Sequence, residues 1–274
     1  ETRSSRGRAL SEFVALAADD RVVSATPVGE WKDRFLVTVT RKGQVKRTEL
    51  AEYANARAGG IIGAGLSGDD EVVAALVTDG SAELVLATRA GKAIRFAERE
   101  IRPMGRSARG VRGIDMPEGD EVVAAEAPRR DASFCLATTL GYGKRLPLTE
   151  LRLQSRAGKG VRVLPDREKA GDLVGFVELR GDDRLMWELD SGELLASDGN
   201  RLQPRSRRAA TVRILKGLKG EAVVRALHVA AGGRNAGEDD SIAEDASVAQ
   251  DASVAKDTSV AEDVQAELEL APDR

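Results

Sequence analysis

Arginine recurs in four short segments of the chain, with glycine in the first three of them and lysine in the third. We call them boxes 1 to 4; they occupy residues 55–60, 105–113, 154–160 and 205–210. Guanidinium and ammonium groups bind phosphate oxygens, and glycine lets a backbone come close to a nucleic-acid strand. The boxes therefore predict a surface that binds the phosphates of duplex nucleic acid with little sequence preference and strong salt dependence.

Basic residues also follow two of the glycine turns that precede the boxes. Lys46 and Arg47 form such a pair in the first copy, and Lys144 and Arg145 form it in the third. The pair is reduced to Arg95 in the second copy, and Leu195 and Ala196 stand in its place in the fourth. Repeated around a rim, pairs and boxes together would form a basic belt.

Two other interpretations of the boxes remain open on the residues alone. Surface lysines and arginines raise the solubility of any β-domain, although four copies in register make this less favoured. The segment SRAGKG from Ser155 also has the glycine and lysine of a nucleotide-binding loop. That loop needs a hydroxyl residue for magnesium, and Val161 and Arg162 follow instead. The sequence therefore disfavours nucleotide binding.

A run of about thirty residues recurs four times and supplies the elements that must carry the boxes. We call the copies units 1 to 4; they cover residues 36–83, 84–133, 134–184 and 185–234. Their turn glycines are 48, 50 and 51 residues apart, a period typical of propeller-like arrays in which each small sheet packs on the next. The turn glycines are Gly43, Gly91, Gly141 and Gly192.

Each unit is predicted to be all-β. Segments such as residues 84–88 and 134–138 are apolar or β-branched, too short for buried helices, and end at a glycine turn before a second extended run, which indicates a hairpin. A third extended element follows each box, as in residues 121–127. Residues 20–28 resemble this element but lack a hairpin, so residues 1–35 are predicted to be the second half of a blade whose first half is absent.

Charge divides the chain into a basic domain and an acidic tail. Residues 235–274 hold twelve acidic side chains against Lys256 and Arg274, a net charge of −10, which leaves +7 for residues 1–234. The tail repeats a six-residue motif that matches no coiled-coil heptad, and its charge density resists collapse. It is predicted to be disordered and joined to the basic domain through a glycine-rich linker, and a polar tail of this kind raises solubility.

The chain offers little material for other chemistry. Its one cysteine, Cys135, excludes an internal disulfide and a cysteine-based zinc cluster, and it is predicted to pack in the core. The single histidine, His228, lies in an apolar strand without a catalytic constellation around it. No segment has the apolar length of a membrane span, and the start shows no secretory segment, so a cytoplasmic location is predicted.

Several motifs resemble one known family. GKAIRFAEREIRPMGRSARGVRGI at Gly91, ATTLGYGKRLPLTEL at Ala137 and QSRAGKG at Gln154 are similar to the C-terminal domain of DNA gyrase A, with the corresponding domain of topoisomerase IV as a close relative. The resemblance runs from about Glu1 to about Val229. It implies a β-pinwheel, a propeller-like disc whose blades exchange strands, with duplex DNA bent around its basic outer edge. It also implies a second role for the acidic tail beside solubility, which is to fold back on the basic rim and compete with DNA.

The resemblance also implies partners and contact residues. The parent enzyme would pair this module with the gyrase A core and with gyrase B in a heterotetramer that uses ATP and magnesium elsewhere, so this chain is predicted to hold no cofactor and no metal. The residues implied to contact DNA are Lys46, Arg47, Arg57, Arg95, Arg106, Arg109, Arg112, Lys144, Arg145, Arg156, Lys159, Arg162, Arg205, Arg207 and Arg208.

The chain departs from the parent enzyme in lacking a cleavage centre. Only Tyr53 and Tyr142 are present, and neither has the arginine neighbour and acidic cluster that DNA cleavage needs, so no catalytic residue is predicted and a fragment of a longer protein is expected. Three hypotheses result: the DNA-wrapping module of gyrase A, which is favoured; the DNA-bending module of topoisomerase IV; and a propeller that binds proteins, with incidental rim charge.

Overall fold

The computed structural model describes residues 12–17, 20–57, 59–179, 184–218 and 220–229, and the regular structure of these residues is almost entirely β. The predictions for the first eleven residues and for the acidic tail lie outside the described residues. The strands, in chain order, are β1 (Phe35–Thr40), β2 (Gln44–Glu49), β3 (Val72–Thr78), β4 (Glu83–Thr88), β5 (Lys92–Ala97), β6 (Val111–Arg112), β7 (Val122–Glu126), β8 (Ser133–Thr138), β9 (Tyr142–Pro147), β10 (Val161–Arg162), β11 (Leu173–Leu179), β12 (Arg184–Leu189), β13 (Leu194–Asp198), β14 (Val212–Arg213) and β15 (Val223–Val229).

The strands form four antiparallel sheets, which we call blades 1 to 4, and the all-β, propeller-like prediction is confirmed. The strand orders are β3-β1-β2-β6, β7-β4-β5-β10, β11-β8-β9-β14 and, within the described residues, β15-β12-β13. The third extended element of each unit supplies the strand next to the hairpin. These strands, β3, β7, β11 and β15, contact one another in succession, and we call them the inner strands.

The fourth strand of blades 1 to 3 comes from the following unit. We call β6, β10 and β14 the exchange strands, because each pairs with the second hairpin strand of the preceding blade. The first lies within box 2, the second directly after box 3 and the third just beyond box 4. Parallel bridges join Arg47 to Pro103, Arg95 to Leu153 and Arg145 to Pro204, so the chain segment entering boxes 2, 3 and 4 also lies beside the preceding hairpin. A blade is therefore built from two consecutive units.

The hydrophobic core lies between neighbouring blades. Side chains alternate across a strand, so Leu84 and Leu86 of β4 pack toward blade 1 while Val85 and Ala87 pack toward blade 3. A third cluster joins blades 3 and 4 around the fully buried Trp187. Because both faces of the blade 2 and blade 3 hairpins are buried by neighbouring blades, these blades are not independent folding units.

The hairpin turns form where glycine predicted them. The four turn glycines all have φ between +73° and +84°, a conformation that other residues rarely adopt. The helical elements given for the described residues are one turn, α1 (Arg167–Ala170), and short 3-10 segments at Leu50–Tyr53, Glu98–Glu100, Leu148–Glu150 and Gly199–Arg201. Among the described residues no helix is long and apolar enough to cross a membrane.

The predicted half-blade at the start of the chain does not form strands in its described residues, 12–17 and 20–34. Val22 and Val23 are exposed, and the hydrogen bonds of this segment to the inner strand β3 come from hydroxyl groups: Ser24 and Thr26 each lie 3.4 Å from the Ala75 carbonyl oxygen. A strand needs a hydrogen-bonded neighbour along its length, and none of the described residues supplies one here.

Candidate nucleic-acid interface

The exchange strands place one arginine at the same position of three consecutive blades. Each strand is a Val-Arg dipeptide at or near the C-terminal end of its box. Arg112 pairs with Gln44, Arg162 with Lys92 and Arg213 with Tyr142, and each of these partners is the residue after a turn glycine. All three arginines are exposed. The geometry thus repeats one exposed cation on the fourth strand of blades 1, 2 and 3.

Glycines directly before the exchange strands β6 and β10 allow the backbone to cross the preceding blade closely. Gly110 and Gly160 have φ of +89° and +66°, and a Cβ atom on them would lie 2.5 Å from the Val45 carbonyl oxygen and 2.6 Å from that of Ala93. These glycines are thus needed for packing between blades, although their sequence context also fits close approach to a ligand. Before β14 the same position is Thr211, whose amide and hydroxyl groups both donate to Asp166 Oδ2.

Most of the box cations predicted to contact DNA are accessible to solvent. Apart from Arg57 of box 1, these side chains extend from the exchange strands or from the loops next to them, which cover the second hairpin strands. The exposed ones are Arg57, Arg109, Arg112, Lys159, Arg162 and Arg208, and the half-buried ones are Arg106, Arg156, Arg205 and Arg207.

Lys46 and Lys144 require a correction, because the structure buries both of them. They are 2 % and 1 % exposed. Their ammonium groups lie beneath boxes 2 and 4 and donate hydrogen bonds to backbone carbonyls of these boxes. Burial lowers the pKa of both side chains, that of Lys144 to about 8. Phosphate cannot reach an ammonium group that is enclosed by carbonyl oxygens, so the direct contacts predicted for these two residues do not fit the structure.

The arginines beside them also serve the packing of blades. Arg47 is 9 % exposed, lies 4.6 Å from the centre of the Phe35 ring and is 3.9 Å from the buried Glu98 carboxylate, whose pKa is raised by burial. Arg95 bonds Glu83 within its own hairpin and the Leu148 and Leu151 carbonyls of the next unit.

Arg145 completes this set. Its guanidinium Nε donates to the Ser133 hydroxyl at 2.8 Å, within the same hairpin, while its carbonyl oxygen accepts a bond from the Arg205 amide at the entrance of box 4. The second hairpin strands look polar in the sequence, but the next unit covers them and makes them internal strands. The basic pairs are therefore mainly structural, and the predicted belt narrows to the boxes and exchange strands.

The sequence analysis missed three exposed arginines near the boxes. Arg213 belongs to the exchange strand β14, and its guanidinium carbon lies 4.9 Å from the centre of the Tyr142 ring. Arg102 and Arg152 stand one residue before the bridges that lead into boxes 2 and 3. The signal for Arg213 was present, because TVRIL in unit 4 aligns with GVRGI and GVRVL in units 2 and 3.

The side chains considered for catalysis have structural surroundings. The Tyr53 hydroxyl donates to the Gly63 carbonyl, and burial raises its pKa, so the phenol stays protonated at neutral pH. Tyr142 is covered by Arg213 and Lys169. Cys135 is fully buried and burial raises its pKa to about 12, which keeps the thiol unreactive. The described residues contain no group of three potential metal ligands.

Blade 4 differs from the others in charge as well as in strand number. Its hairpin carries Glu188, Asp190, Glu193 and Asp198 where the other hairpins carry mainly lysine and arginine. Leu194 of β13 is exposed, and in the described part of the chain no exchange strand pairs with β13. The array of exposed exchange-strand arginines therefore ends at blade 3.

Comparison with known proteins gives one family. The sequence matches the family described as "DNA gyrase C-terminal domain, beta-propeller" over residues 34–79, 82–128 and 132–185, more than half of the chain. It is 37 % identical over 108 residues to the DNA gyrase A protein of Haemophilus influenzae and 38 % identical over 108 residues to that of Salmonella typhimurium. These alignments cover 39 % of this chain but 12 % of either relative, so the chain spans only a small part of their length.

Two solved structures have a similar fold. The C-terminal domain of DNA topoisomerase IV superimposes with a TM-score of 0.75 and 28 % sequence identity, over 81 % of this chain and 70 % of the other. The DNA gyrase A C-terminal domain superimposes with a TM-score of 0.72 over 82 % of this chain and 75 % of the other, and at 21 % identity it supports the fold alone.

Proposed function

The chain belongs to the DNA gyrase C-terminal domain family, and from that premise we propose that it binds duplex DNA and wraps it along the boxes and exchange strands. The observation that carries the proposal is the register of Arg112, Arg162 and Arg213, which repeats an exposed cation on three consecutive blades. Bending tens of base pairs costs several kcal/mol, so many phosphate contacts must act together. The repeated geometry supplies them without reading base sequence.

The proposal extends to the assembly in which the module works. Its curated relatives are DNA gyrase A proteins, and we place this chain with the rest of such a protein and with gyrase B in an ATP-dependent type II topoisomerase that introduces negative supercoils. ATP and magnesium would act in those other parts, so the chain itself needs no cofactor. A chromosomal DNA partner would place the protein in the cytoplasm.

A second candidate is the DNA-bending module of topoisomerase IV. The observation favouring it is the solved C-terminal domain of that enzyme, which has the higher TM-score and the higher identity of the two structures described above. The acidic hairpin of blade 4 also shortens the cationic path available to DNA. A shorter path favours bending over a full wrap, because wrapping needs contacts along the whole curve.

The first experiment measures binding of the whole chain to a fluorescent duplex of a few tens of base pairs between about 50 and 200 mM salt. We expect tight binding at low salt and a steep loss of affinity as salt rises, with a similar affinity for unrelated duplex sequences. Absence of binding at the lowest salt would reject both DNA functions and favour a propeller that contacts proteins.

The second experiment separates wrapping from bending. A relaxed plasmid is incubated with the chain, treated with a nicking-closing topoisomerase and deproteinised before electrophoresis. Wrapping changes the linking number of the plasmid in proportion to the bound protein, whereas bending alone leaves the topoisomer distribution unchanged. A shifted distribution supports the gyrase-type module, and an unshifted one together with salt-sensitive binding supports the topoisomerase IV type.

A further inference from the structure

Boxes 2, 3 and 4 each contain one arginine at an equivalent position. The bridges of Pro103, Leu153 and Pro204 to the preceding hairpins fix the alignment, and three residues further on stand Arg106, Arg156 and Arg207. The residue beneath each box on the second hairpin strand is Lys46, Ile94 and Lys144, respectively. Two boxes therefore lie over a buried ammonium group and one lies over an apolar side chain.

The buried lysine of blade 3 holds box 4 from below. Lys144 Nζ donates to the carbonyl oxygens of Ser206, Arg207 and Ala209 at 3.2, 2.9 and 2.6 Å. These bonds use all three donors of an ammonium group. The Arg207 amide in turn donates to Glu150 Oε2 at 2.9 Å. The peptide groups on both sides of Arg207 are thus fixed by side chains of blade 3, and its guanidinium group is not needed for that purpose.

Lys46 holds box 2 in a similar way. Its Nζ donates to the Arg106 carbonyl at 2.7 Å and also to the Gly63 carbonyl of unit 1. Within the described residues the guanidinium groups of Arg106 and Arg207 make no hydrogen bond or ion pair, and both side chains are half-buried with one part open to solvent. Both are therefore available to an external anion.

Box 3 is held by its own arginine instead. Arg156 donates from Nε to the Glu100 carbonyl at 3.2 Å and from Nη1 to the Arg112 carbonyl at 3.1 Å, and its amide donates to Glu100 Oε2 at 3.0 Å. Beneath it, Ile94 is fully buried and offers no donor. The guanidinium group is thus bound to the backbone of unit 2, where a phosphate would have to displace it.

Resting on the DNA-binding function proposed above, we propose that the buried lysine decides the role of the box arginine. Lys46 and Lys144 are positioning residues that tie boxes 2 and 4 to the blade below and leave Arg106 and Arg207 free for phosphate. Box 3 has no such lysine, so Arg156 does the tying and contributes little to DNA binding. The physical basis is that a loop lying on another blade needs a hydrogen-bond donor for its carbonyl groups. A guanidinium group that bonds those carbonyls is not available to bind phosphate.

The matched pair Arg207→Ala and Arg156→Ala gives the first test. We expect Arg207→Ala to weaken duplex binding about threefold and to reduce the salt slope by about one, with little change in the midpoint of thermal unfolding. We expect Arg156→Ala to lower the unfolding midpoint and to change affinity less than about twofold, because it loses two half-exposed backbone hydrogen bonds and no phosphate contact. Equal losses of affinity in the two variants would overturn the proposal.

A double-mutant cycle of Lys144→Met with Arg207→Ala tests the positioning role itself. If Lys144 acts through Arg207, the two effects on affinity are not multiplicative. Adding Lys144→Met to Arg207→Ala then causes little further loss, so the double variant binds duplex about as tightly as Arg207→Ala alone. Multiplicative effects would overturn the proposal. Lys32→Met, which removes an exposed charge away from the boxes, controls for net charge and is expected to bind as the wild type does.

The design keeps the two proposals separable. Failure of the wild-type chain to bind duplex at the lowest salt overturns the DNA function and this proposal with it, whereas normal wild-type binding with a multiplicative cycle overturns this proposal alone. If Lys144→Met does not fold, the cycle is run on blade 1 with Lys46→Met and Arg106→Ala, which are expected to give the same non-multiplicative result. Amide exchange of residues 206–209, faster in Lys144→Met than in the wild type, is the supporting readout.

Discussion

The hairpin cations and the exchange-strand cations have the same chemistry and opposite surroundings. Lys144 and Arg95 lie on second hairpin strands and are enclosed by the next unit, whereas Arg112 and Arg162 lie on the strands that do the enclosing and face solvent. A cation of the first set stabilises the contact between blades, and one of the second set is free for a ligand. Whether a cation lies on a covered hairpin strand or on the exchange strand that covers it, and not the sign of its charge, separates these two roles.

The largest effect expected from this comparison is on stability. Arg95→Ala removes the ion pair with Glu83 and the bonds to the Leu148 and Leu151 carbonyls, which join blade 2 to unit 3. We expect the free energy of unfolding to fall by about 2 to 3 kcal/mol, because partly buried acceptors lose a charged donor. Chemical denaturation followed by circular dichroism measures the change. The affinity for duplex DNA, measured well below the unfolding midpoint, should stay within about twofold of the wild type.

Arg112→Ala is the matched control for that variant. Arg112 is exposed and lies 3.5 Å from the Asp115 carboxylate, an exposed pair that contributes little to stability. Its unfolding free energy should remain within about 0.5 kcal/mol of the wild type. If Arg95→Ala were as stable as Arg112→Ala, the division between enclosed and enclosing cations would be incorrect.

A smaller effect, on binding, is expected from the enclosing set. Replacing Arg112, Arg162 and Arg213 together by glutamine removes one exposed cation from each of three exchange strands. We expect duplex affinity to fall about 10- to 30-fold and the salt slope to decrease by about three, since each phosphate contact adds about one to that slope. Fluorescence anisotropy across a salt series measures both quantities.

The triple variant has a clear contradicting outcome. Its free energy of unfolding should fall by no more than about 1 kcal/mol, because the contacts that it loses, Arg112 with Asp115 and Arg213 with Tyr142, are made by exposed arginine side chains. A large loss of stability with unchanged salt slope would show that the exchange-strand arginines hold the blades together and do not form the interface. Replacing three enclosed cations of the second hairpin strands would change stability and affinity together. The exposed exchange-strand arginines are therefore the better test of binding.

The sequence predicted the repeat but not the burial of one unit's second hairpin strand by the following unit. Turn glycines such as Gly43 and Gly91 mark hairpins through local backbone geometry, so the number and class of the blades follow from spacing alone. Lys46 and Arg47 look like polar residues of an edge strand, since nothing local shows that β6 and box 2 will cover them. Burial created by a strand from another unit is a tertiary property, and single-sequence patterns do not contain it.

Other residues of the interface show the same limit. The box glycines Gly110 and Gly160 suggested close approach of a ligand, yet a side chain there would collide with a backbone carbonyl of the preceding blade. Ile94 and Lys144 occupy equivalent positions, and their different consequences for Arg156 and Arg207 depend on distances across blades. Arg213, by contrast, could have been found by aligning the Val-Arg dipeptides, because the exchange strands keep their sequence pattern.

The smallest expected effect is a pH dependence that joins the two sets of cations. Burial lowers the pKa of Lys144 to about 8, with Asp166 and Glu150 opposing the shift and Arg205 adding to it. Between about pH 7 and 9 the ammonium group therefore loses its proton and with it one of its three donors to box 4. We expect duplex affinity to fall about twofold over this range, with a midpoint near pH 8, because the loop that carries Arg207 loosens.

Stability should move in the opposite direction over the next interval of pH. The folded-state pKa lies below the ordinary lysine value of 10.5, so between about pH 8 and 10.5 the unfolded chain binds more protons at this site than the folded one. The contribution of Lys144 to the free energy of unfolding therefore rises with pH in that window, and it is constant below it. Lys144→Met should remove both the affinity midpoint near pH 8 and this rise. A wild-type affinity that is flat from about pH 7 to 9 would show that an enclosed cation has no influence on the enclosing ones.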